Sequence, residues 1–352
     1  MRLIFGTVLA TFAFYTSEAA AAKPAPQQPP PLVPYDADLF HKDLEVCYGS
    51  AECLYWTVNE GALDYAEKMR QPAWSPTTPS YASGKVQNAS FDLDPGLRIA
   101  AGYFNASKYW SVQAQYTHLI NRGKNRAGKP SAGNEYLTGT WPQITSNPLT
   151  HAHSNIFFDY NLFNLAIDRV FIPNPHLRMK LEAGLSMAWM QQDWKVQYFD
   201  ATGGNTTIRN RWHYTAGGLF AGLLGDWYWG KDIYLTGGTI GGLYMGGYSN
   251  QSKQTTTFQP TGSDNPTLPV RDSKMNDTRP SLFVQFYIGP SYQKNFDSHR
   301  IELFAGYELN GWFNLQEIRR SSSGSPSSAK ETWINSSMLS LQGLTTRLTI
   351  DF

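Results

Sequence analysis

The last fourteen residues, Leu339 to Phe352, read LSLQGLTTRLTIDF and alternate with a period of two. One file is apolar except for a single threonine: Leu344, Thr346, Leu348, Ile350 and Phe352. The other file holds glycine and polar side chains: Gly343, Thr345, Arg347, Thr349 and Asp351. A period of two predicts a β-strand with one apolar and one polar face. The rest of the chain has to decide which of these faces meets water.

The composition argues against a helical membrane protein and gives no sign of nucleic-acid binding. Mean hydropathy is −0.40, and the longest apolar stretch of the mature chain, AGGLFAGLLG at 216–225, is half of the ~20 residues a spanning helix needs. The formal net charge is only +1, whereas nucleic-acid-binding domains usually carry basic patches. These values do not exclude a transmembrane β-barrel. Its lipid-facing and lumen-facing residues alternate, so its mean hydropathy resembles that of a soluble protein.

The N-terminus predicts export from the cytoplasm. Arg2 precedes an apolar run from Leu3 to Tyr15, and small residues follow at 20–22. This order is typical of a cleaved signal peptide, which we assign to residues 1–22. The Pro-rich stretch KPAPQQPPPLVP follows, and we assign residues 23–50 to an extended periplasmic segment or leader. The predicted barrel takes residues 51–352.

The two cysteines, Cys47 and Cys53, leave three outcomes open. In one continuous strand they would lie about 20 Å apart, whereas a disulfide needs Cα atoms within about 7 Å. They can pair only if Gly49 and Ser50 turn the chain. Intermolecular crosslinks and free thiols are the alternatives, and no further metal ligand lies nearby in the sequence.

Ten strand-like segments alternate with turn residues from about residue 51 onward. We predict strands at 52–66, 92–104, 109–120, 152–168, 176–198, 208–226, 232–249, 280–292, 300–318 and 335–352. Joints after the even-numbered strands are short, and those after the odd-numbered strands are mostly long and polar. Sorting of short turns to one side and long loops to the other is typical of bacterial outer-membrane barrels. Twelve strands result if 176–198 hides a hairpin.

The faces of these strands favour lipid on the outside. In 176–198 an apolar file from Leu177 to Trp189 opposes Arg178, Lys180 and Glu182. Tyrosine and tryptophan sit well at headgroup level, and we predict an aromatic belt at the strand ends. Its members are Trp110, Trp189, Trp194, Trp227, Tyr228, Trp229 and Trp312. The fold class is therefore an all-β, transmembrane, antiparallel up-and-down barrel of about ten strands.

Several segments in order resemble the pore-forming outer-membrane family typified by the Legionella major outer membrane protein, with relatives in environmental chlamydiae. They are CLYWTVNEGALDYA (Cys53 to Ala66), FDLDPGLRIAAGY (Phe91 to Tyr103), YWSVQAQYTHL (Tyr109 to Leu119), GTIGGLYMGGY (Gly238 to Tyr248), FAGYELNGWFNLQ (Phe304 to Gln316) and the C-terminal stretch. The resemblance implies a surface barrel of the outer membrane that conducts small solutes or ions. Phe352 resembles the targeting end that the barrel-assembly machinery recognises. No catalytic residues or cofactors come with it.

The predicted function is a narrow, water-filled passive channel. Ten strands approach the size at which side chains fill a barrel, so a pore requires small inward residues such as Gly184, Gly289, Gly306 and Gly343. Mixed charges in the lumen predict weak ion selectivity. The predicted pore-lining residues are Arg98, Asp159, Arg178, Lys180, Glu182, Glu302, Glu308, Arg347 and Asp351. The expected partners are outer-membrane lipid, small solutes or ions, and a second copy of the chain in a homo-oligomer.

Two alternatives stay open. Inward ion pairs could plug the barrel, which would then act through its long loops at 67–91, 121–150 and 251–279 in adhesion or as a structural protein. An outer-membrane protease would need an acid–base pair, for which His151, His153 and Asp193 are the candidates. The nucleophile and metal-protease motifs are missing from the sequence, and we predict no enzyme, no metal and no cofactor.

Overall fold

The computed structural model describes residues 45–70, 83–105, 108–141, 149–230, 232–257, 267–296, 299–315, 317–321, 331–335 and 338–352. The strands are β1 (Glu45–Glu60), β2 (Asp64–Arg70), β3 (Ser83–Asn88), β4 (Asp94–Asn105), β5 (Trp110–Gly128), β6 (Glu135–Gly139), β7 (Leu149–Asn174), β8 (Leu177–Asp200), β9 (Asn205–Gly230), β10 (Ile233–Thr257), β11 (Thr267–Asn295), β12 (Arg300–Phe313), β13 (Glu317–Ser321), β14 (Glu331–Asn335) and β15 (Met338–Asp351).

Ten of the strands in the described ranges form one closed antiparallel ring. The C-terminal strand β15 pairs with β1 on one side and with β12 on the other. From β12 the ring continues through β11, β10, β9, β8, β7, β5 and β4 back to β1, and the pairing of β7 with β8 closes it. Closure leaves no strand edge of the ring unpaired, which is what a hydrocarbon surrounding demands.

The joints between ring strands are sorted as predicted. At one end lie the connections 106–109, 175–176, 231–232 and 296–299, together with the start of β1 and the end of β15. The other end carries the longer connections, apart from the tight turn at 201–204. Short turns mark the periplasmic end of an outer-membrane barrel, so the longer connections lie outside the cell.

Each of the ten predicted segments overlaps one ring strand, and the ten-strand prediction is confirmed. The twelve-strand alternative is wrong, because β8 runs uninterrupted from Leu177 to Asp200. The barrel also begins earlier than predicted, since residues 45–50 belong to β1 rather than to the Pro-rich segment. The signal peptide (1–22) and residues 23–44 lie outside the described residues.

The alternation in the C-terminal strand has the predicted orientation. Leu344 and Leu348 are 50% and 41% exposed on the outer face, whereas Thr345 and Asp351 are 2% and 3% exposed and point inward. The same parity runs around the ring, with Leu185, Leu219 and Leu243 on the outer face. This outer band is the surface that hydrocarbon covers.

The aromatic belt was predicted only in part. Trp189, Trp227 and Trp229 do project from the outer face. The prediction is wrong for Trp194, Tyr228 and Trp312, because they share the parity of the inward side chains and are buried. The lumen is therefore richer in aromatic side chains than the sequence interpretation allowed.

Five shorter strands lie outside the ring. The hairpin β2–β3 occupies the connection between β1 and β4, and β2 also pairs with β6, which contacts the start of β7. β13 pairs with β14 between β12 and β15. All five belong to the extracellular end. None of the described residues forms a helix long and apolar enough to span a membrane.

Candidate functional site

The periplasmic half of the lumen is built around the guanidinium of Arg98. Arg98 on β4 lies directly opposite Glu52 on β1, and its Nη1 is 2.7 Å from Glu52 Oε2. Its Nη2 reaches Glu308 Oε1 on β12, also at 2.7 Å, across the two strands between them. Thr345 Oγ1 also donates a hydrogen bond to Glu308, at 3.0 Å. These groups are almost fully buried, so each charge depends on its partner.

A second ion-pair group lies closer to the periplasmic end. Arg347 Nη2 contacts Glu302 Oε1 at 3.0 Å, and Arg300 Nε contacts Asp351 Oδ2 at 2.5 Å. Arg300 Nη2 is 3.4 Å from the other oxygen of Glu302, which joins the two pairs. On the far wall, Arg178 pairs with Asp226 and Lys180 with Asp168. Opposite charges therefore face one another on both walls, whereas β5, β10 and β11 line the cavity with uncharged side chains.

These side chains surround a cavity of about 190 Å³, which we call the charged chamber. It is large enough to hold several water molecules. Twelve of its lining residues carry charge: Glu52, Arg98, Asp168, Arg178, Lys180, Glu182, Asp226, Arg300, Glu302, Glu308, Arg347 and Asp351. Such a lining can hydrate and attract small ions.

Eight of the nine residues predicted to line a pore face the charged chamber. They are Arg98, Arg178, Lys180, Glu182, Glu302, Glu308, Arg347 and Asp351. The placement of Asp159 was wrong, because it lies on the outer face of β7 between the inward residues Phe158 and Tyr160. There it accepts hydrogen bonds from Gln191 Nε2 at 3.0 Å and Asn161 Nδ2 at 2.8 Å.

The middle of the lumen is crossed by packed aromatic rings, which we call the aromatic layer. Its members are Trp56, Phe158, Tyr160, Trp212, Tyr244, Tyr248, Phe283 and Trp312. Tyr160 on β7 and Trp312 on β12 stand on opposite walls, five strands apart in either direction, yet their ring centroids are 6.4 Å apart. Trp312 also packs on Phe283 and Tyr244, each at 4.7 Å. Rings from opposite walls therefore meet inside the lumen at this level.

The extracellular strands cover the aromatic layer through two buried arginines. Arg320 on β13 binds Asp64 on β2, with Nη1 at 2.6 Å from Oδ2, and its guanidinium lies 4.5 Å from the ring of Trp141. Arg279 on β11 pairs with Glu317 at 2.8 Å and lies 3.9 Å from the ring centroid of Tyr248. The Arg279 contact joins β13 to the ring strand β11, whereas the Arg320 contact joins β13 to β2 at the extracellular end.

The inward glycines do not widen the lumen as predicted. A Cβ on Gly184 would lie 2.0 Å from the carbonyl oxygen of Leu165, and one on Gly343 would lie 2.1 Å from that of Tyr55. A Cβ on Gly289 would lie 2.2 Å from the oxygen of Ala305. These glycines therefore serve the close approach of neighbouring strands rather than an open passage.

Both cysteines are exposed on the outer face of the barrel, and the described chain holds no disulfide between them. Cys47 and Cys53 lie in the same continuous strand, because β1 does not turn at Gly49 and Ser50. The alternative of a disulfide between the two is therefore wrong, because six residues of extended strand hold them too far apart.

The histidines proposed for a protease are not joined by Asp193. The rings of His151 and His153 are 5.0 Å apart on the outer face of β7, above the membrane band. Burial, together with nearby Arg126 and His151, lowers the pKa of His153. Asp193 is bound instead to Arg209 and Arg211. Within the described ranges no group of three or more metal-ligating side chains is found.

Four chamber residues escaped the sequence interpretation: Glu52, Asp168, Asp226 and Arg300. The two-residue period of a strand does predict the position of Arg300. It lies two residues before Glu302 and therefore on the same face of the strand. The aromatic layer was also missed, although Trp312 shares its parity with Glu308 and Asn310. Alternation predicts apolar side chains on the outer face and polar side chains in the lumen. An interior filled with aromatic rings does not follow that rule.

A closed antiparallel ring with an apolar outer band, charged lumen and short turns at one end is an outer-membrane β-barrel. The chain belongs to the family of the Legionella pneumophila major outer membrane protein precursor, whose sequence profile matches residues 49–352. Its location is accordingly the bacterial outer membrane. No curated protein matches the chain.

Similarity to solved structures is low in sequence and in geometry. The outer-membrane protease OmpT from Escherichia coli is 11% identical with a TM-score of 0.39, covering 87% of this chain and 96% of its own. The Pseudomonas putida toluene transporter TodX is 8% identical with a TM-score of 0.28, covering 88% and 89%. At these scores neither protein's activity carries an argument about this chain.

Proposed function

We propose that this barrel is a narrow channel for small hydrophilic solutes or ions, whose flow is limited by the aromatic layer. The observation that carries the proposal is the charged chamber, a hydratable cavity lined by twelve charged side chains of the kind that attract small ions. Passage requires the rings of Tyr160 and Trp312 to separate. The proposal includes no catalytic step and no cofactor.

The chamber favours cations. Its lining holds seven acidic residues and five basic ones, which leaves a formal charge of −2. The acidic residues are Glu52, Asp168, Glu182, Asp226, Glu302, Glu308 and Asp351; the basic ones are Arg98, Arg178, Lys180, Arg300 and Arg347. Because most of these charges are paired, the selectivity should be weak.

The test is electrical recording of the purified, refolded protein in a planar lipid bilayer. Stepwise conductance in potassium chloride, with a reversal potential displaced toward the cation side under a salt gradient, supports the proposal. Heat-denatured protein is the control for membrane leakage. Silence of the folded protein at all applied voltages would reject the channel.

A second candidate is a closed surface barrel that acts through its extracellular end. The contact of Tyr160 with Trp312 across the full lumen favours it, together with the buried arginine contacts that hold the extracellular strands. This candidate predicts no conductance and a surface activity, such as adhesion, that is lost when the extracellular connections are shortened.

A further inference from the structure

A row of basic side chains crosses five neighbouring strands of the barrel wall, above the apolar band. Strand register places Lys124 of β5 opposite Asn155 of β7, and Asn155 opposite Lys195 of β8. Lys195 in turn is opposite Arg209 of β9, and Arg209 is opposite Lys253 of β10. We call Lys124, Lys195, Arg209 and Lys253 the basic row.

The basic row points away from the lumen and lies above the apolar band. Lys195 shares its parity with Leu185 and Trp189 on the outer face of β8. It lies six residues beyond Trp189, which ends the continuous apolar part of that file; only Phe199 follows nearer the extracellular end. At ~3.3 Å per residue and a strand tilt of about 45°, this is roughly 14 Å above the band.

Like charges face one another directly in this row. Lys195, Arg209 and Lys253 lie on three adjacent strands, where opposed side chains are about 5 Å apart and like charges destabilise the pairing. Asp193 binds Arg209 and Arg211, and Asp272 lies opposite Lys253. Within the described part of the chain, no ion pair forms at Lys124, Lys195 or Lys253. The excess positive charge is therefore left for an external anion.

The charge is confined to one side of the barrel. Rows next to the basic row add Arg122, Arg126 and Arg211 on the outer faces of β5 and β9. On the opposite wall, the outward positions above the band in β1, β12 and β15 are uncharged. They are Thr57, Asn59, Leu309, Gly311, Phe313, Met338, Ser340 and Gln342. If these side chains served only to hydrate the extracellular rim, charged residues would be expected on all sides of the barrel.

We propose that the basic row binds the phosphate groups of a phosphorylated glycolipid of the outer leaflet. Lysine and arginine bind phosphate through charge-assisted hydrogen bonds, and basic residues close to an anionic lipid surface are attracted to it. Bound phosphate would also relieve the repulsion among Lys195, Arg209 and Lys253. The glycolipid is then bound tightly to one wall of the barrel, the wall formed by β5, β7, β8, β9 and β10.

The test compares two triple variants of the full chain, refolded in detergent without glycolipid. One removes the lysines of the row (Lys124→Gln, Lys195→Gln and Lys253→Gln). The matched control removes three exposed lysines elsewhere (Lys85→Gln, Lys108→Gln and Lys294→Gln). Each protein is titrated with purified lipopolysaccharide, with its dephosphorylated form and with inorganic phosphate, and thermal unfolding is followed by loss of heat-modifiable gel mobility.

We expect phosphorylated lipopolysaccharide to raise the unfolding temperature of the wild type and of the control, and to bind the row variant on the order of 100-fold more weakly. Without lipid, the row variant should be at least as stable as the wild type, because repulsion is removed. Binding of the row variant within threefold of wild type, or equal binding of the dephosphorylated lipid, overturns the proposal. An equal shift by inorganic phosphate would assign the row to free phosphate instead. If the triple variant does not refold, Lys195→Gln alone is compared with Lys85→Gln.

Discussion

At the residue scale, strand parity placed most charged side chains correctly. Arg98, Glu302 and Glu308 are predicted to line the lumen, and all three lie in the charged chamber. Asp159 was misplaced for a physical reason. Its strand carries apolar residues on both faces, since Phe158 and Tyr160 enter the aromatic layer, so hydrophobicity could not tell inside from outside.

Glu308→Gln tests the hub of the chamber. Neutralising one partner leaves Arg98 buried with only Glu52, and breaking a buried pair costs about 3–5 kcal/mol. We expect the free energy of unfolding in urea to fall by roughly that amount, and any cation preference to weaken. Glu67→Gln, on the extracellular strand β2, should change neither. Unchanged stability of the Glu308 variant would mean that the pair with Arg98 is not formed.

Asp193→Asn tests the ion pairs above the membrane. Burial raises the pKa of Asp193, but the hydrogen bonds from Arg209 and Arg211 outweigh it, and the pKa is lowered from 3.8. A lowered carboxyl pKa stabilises the folded state at neutral pH, and that contribution disappears as pH falls through it. The variant should lose about 1 kcal/mol at pH 7, and the difference from wild type should shrink below about pH 4. A difference that is constant with pH would contradict the pairing.

At the element scale, alternation predicted the ring strands but not the strands beyond them. β2, β3, β6, β13 and β14 lie in connections without a sustained two-residue period, and they pair mainly with one another. The glycine interpretation failed for a related reason. Sequence indicates that an inward glycine is small, but only the packed structure places a neighbour's carbonyl where its Cβ would be.

Gly343→Ala tests the close approach of β15 to β1. Its Cβ would lie 2.1 Å from the carbonyl oxygen of Tyr55 and 2.9 Å from Cα of Trp56, so the two strands must separate. We expect the variant to refold poorly or to unfold at lower urea concentration. Gly241→Ala is the matched control, because no atom lies within 4 Å of its Cβ. Equal stability of both variants would show that the strands are not so close.

Deleting Phe352 tests the terminal residue that resembles a targeting end. Its backbone exchanges hydrogen bonds with Cys47, but its side chain is 69% exposed and packs little. We therefore expect the deletion to reduce the amount of barrel in the outer membrane of cells while leaving refolding in detergent nearly unchanged. Loss of refolding in detergent would instead assign Phe352 a structural role.

At the scale of the whole molecule, the sequence predicted the barrel and its charged interior. It did not predict the aromatic layer in the middle of the lumen. Tyr160 and Trp312 are far apart in the chain, and nothing in their local sequence indicates that they meet in the centre of the lumen. Ten strands enclose little more space than the eight that side chains fill completely, so a few large rings decide whether the lumen is open. That decision depends on rotamers and packing, which alternation does not specify.

The most direct test of a channel limited by the aromatic layer is the single-channel conductance of Trp312→Ala. Trp312 makes ring contacts with Tyr160, Tyr244 and Phe283, and its removal opens the centre of the layer. Truncation of a buried tryptophan should also cost about 3–5 kcal/mol of stability. Trp229→Ala, which removes an outward-facing tryptophan, is the control. We predict a conductance several-fold above wild type for Trp312→Ala and no change for Trp229→Ala. Equal conductance of a folded Trp312→Ala barrel and the wild type would contradict the account.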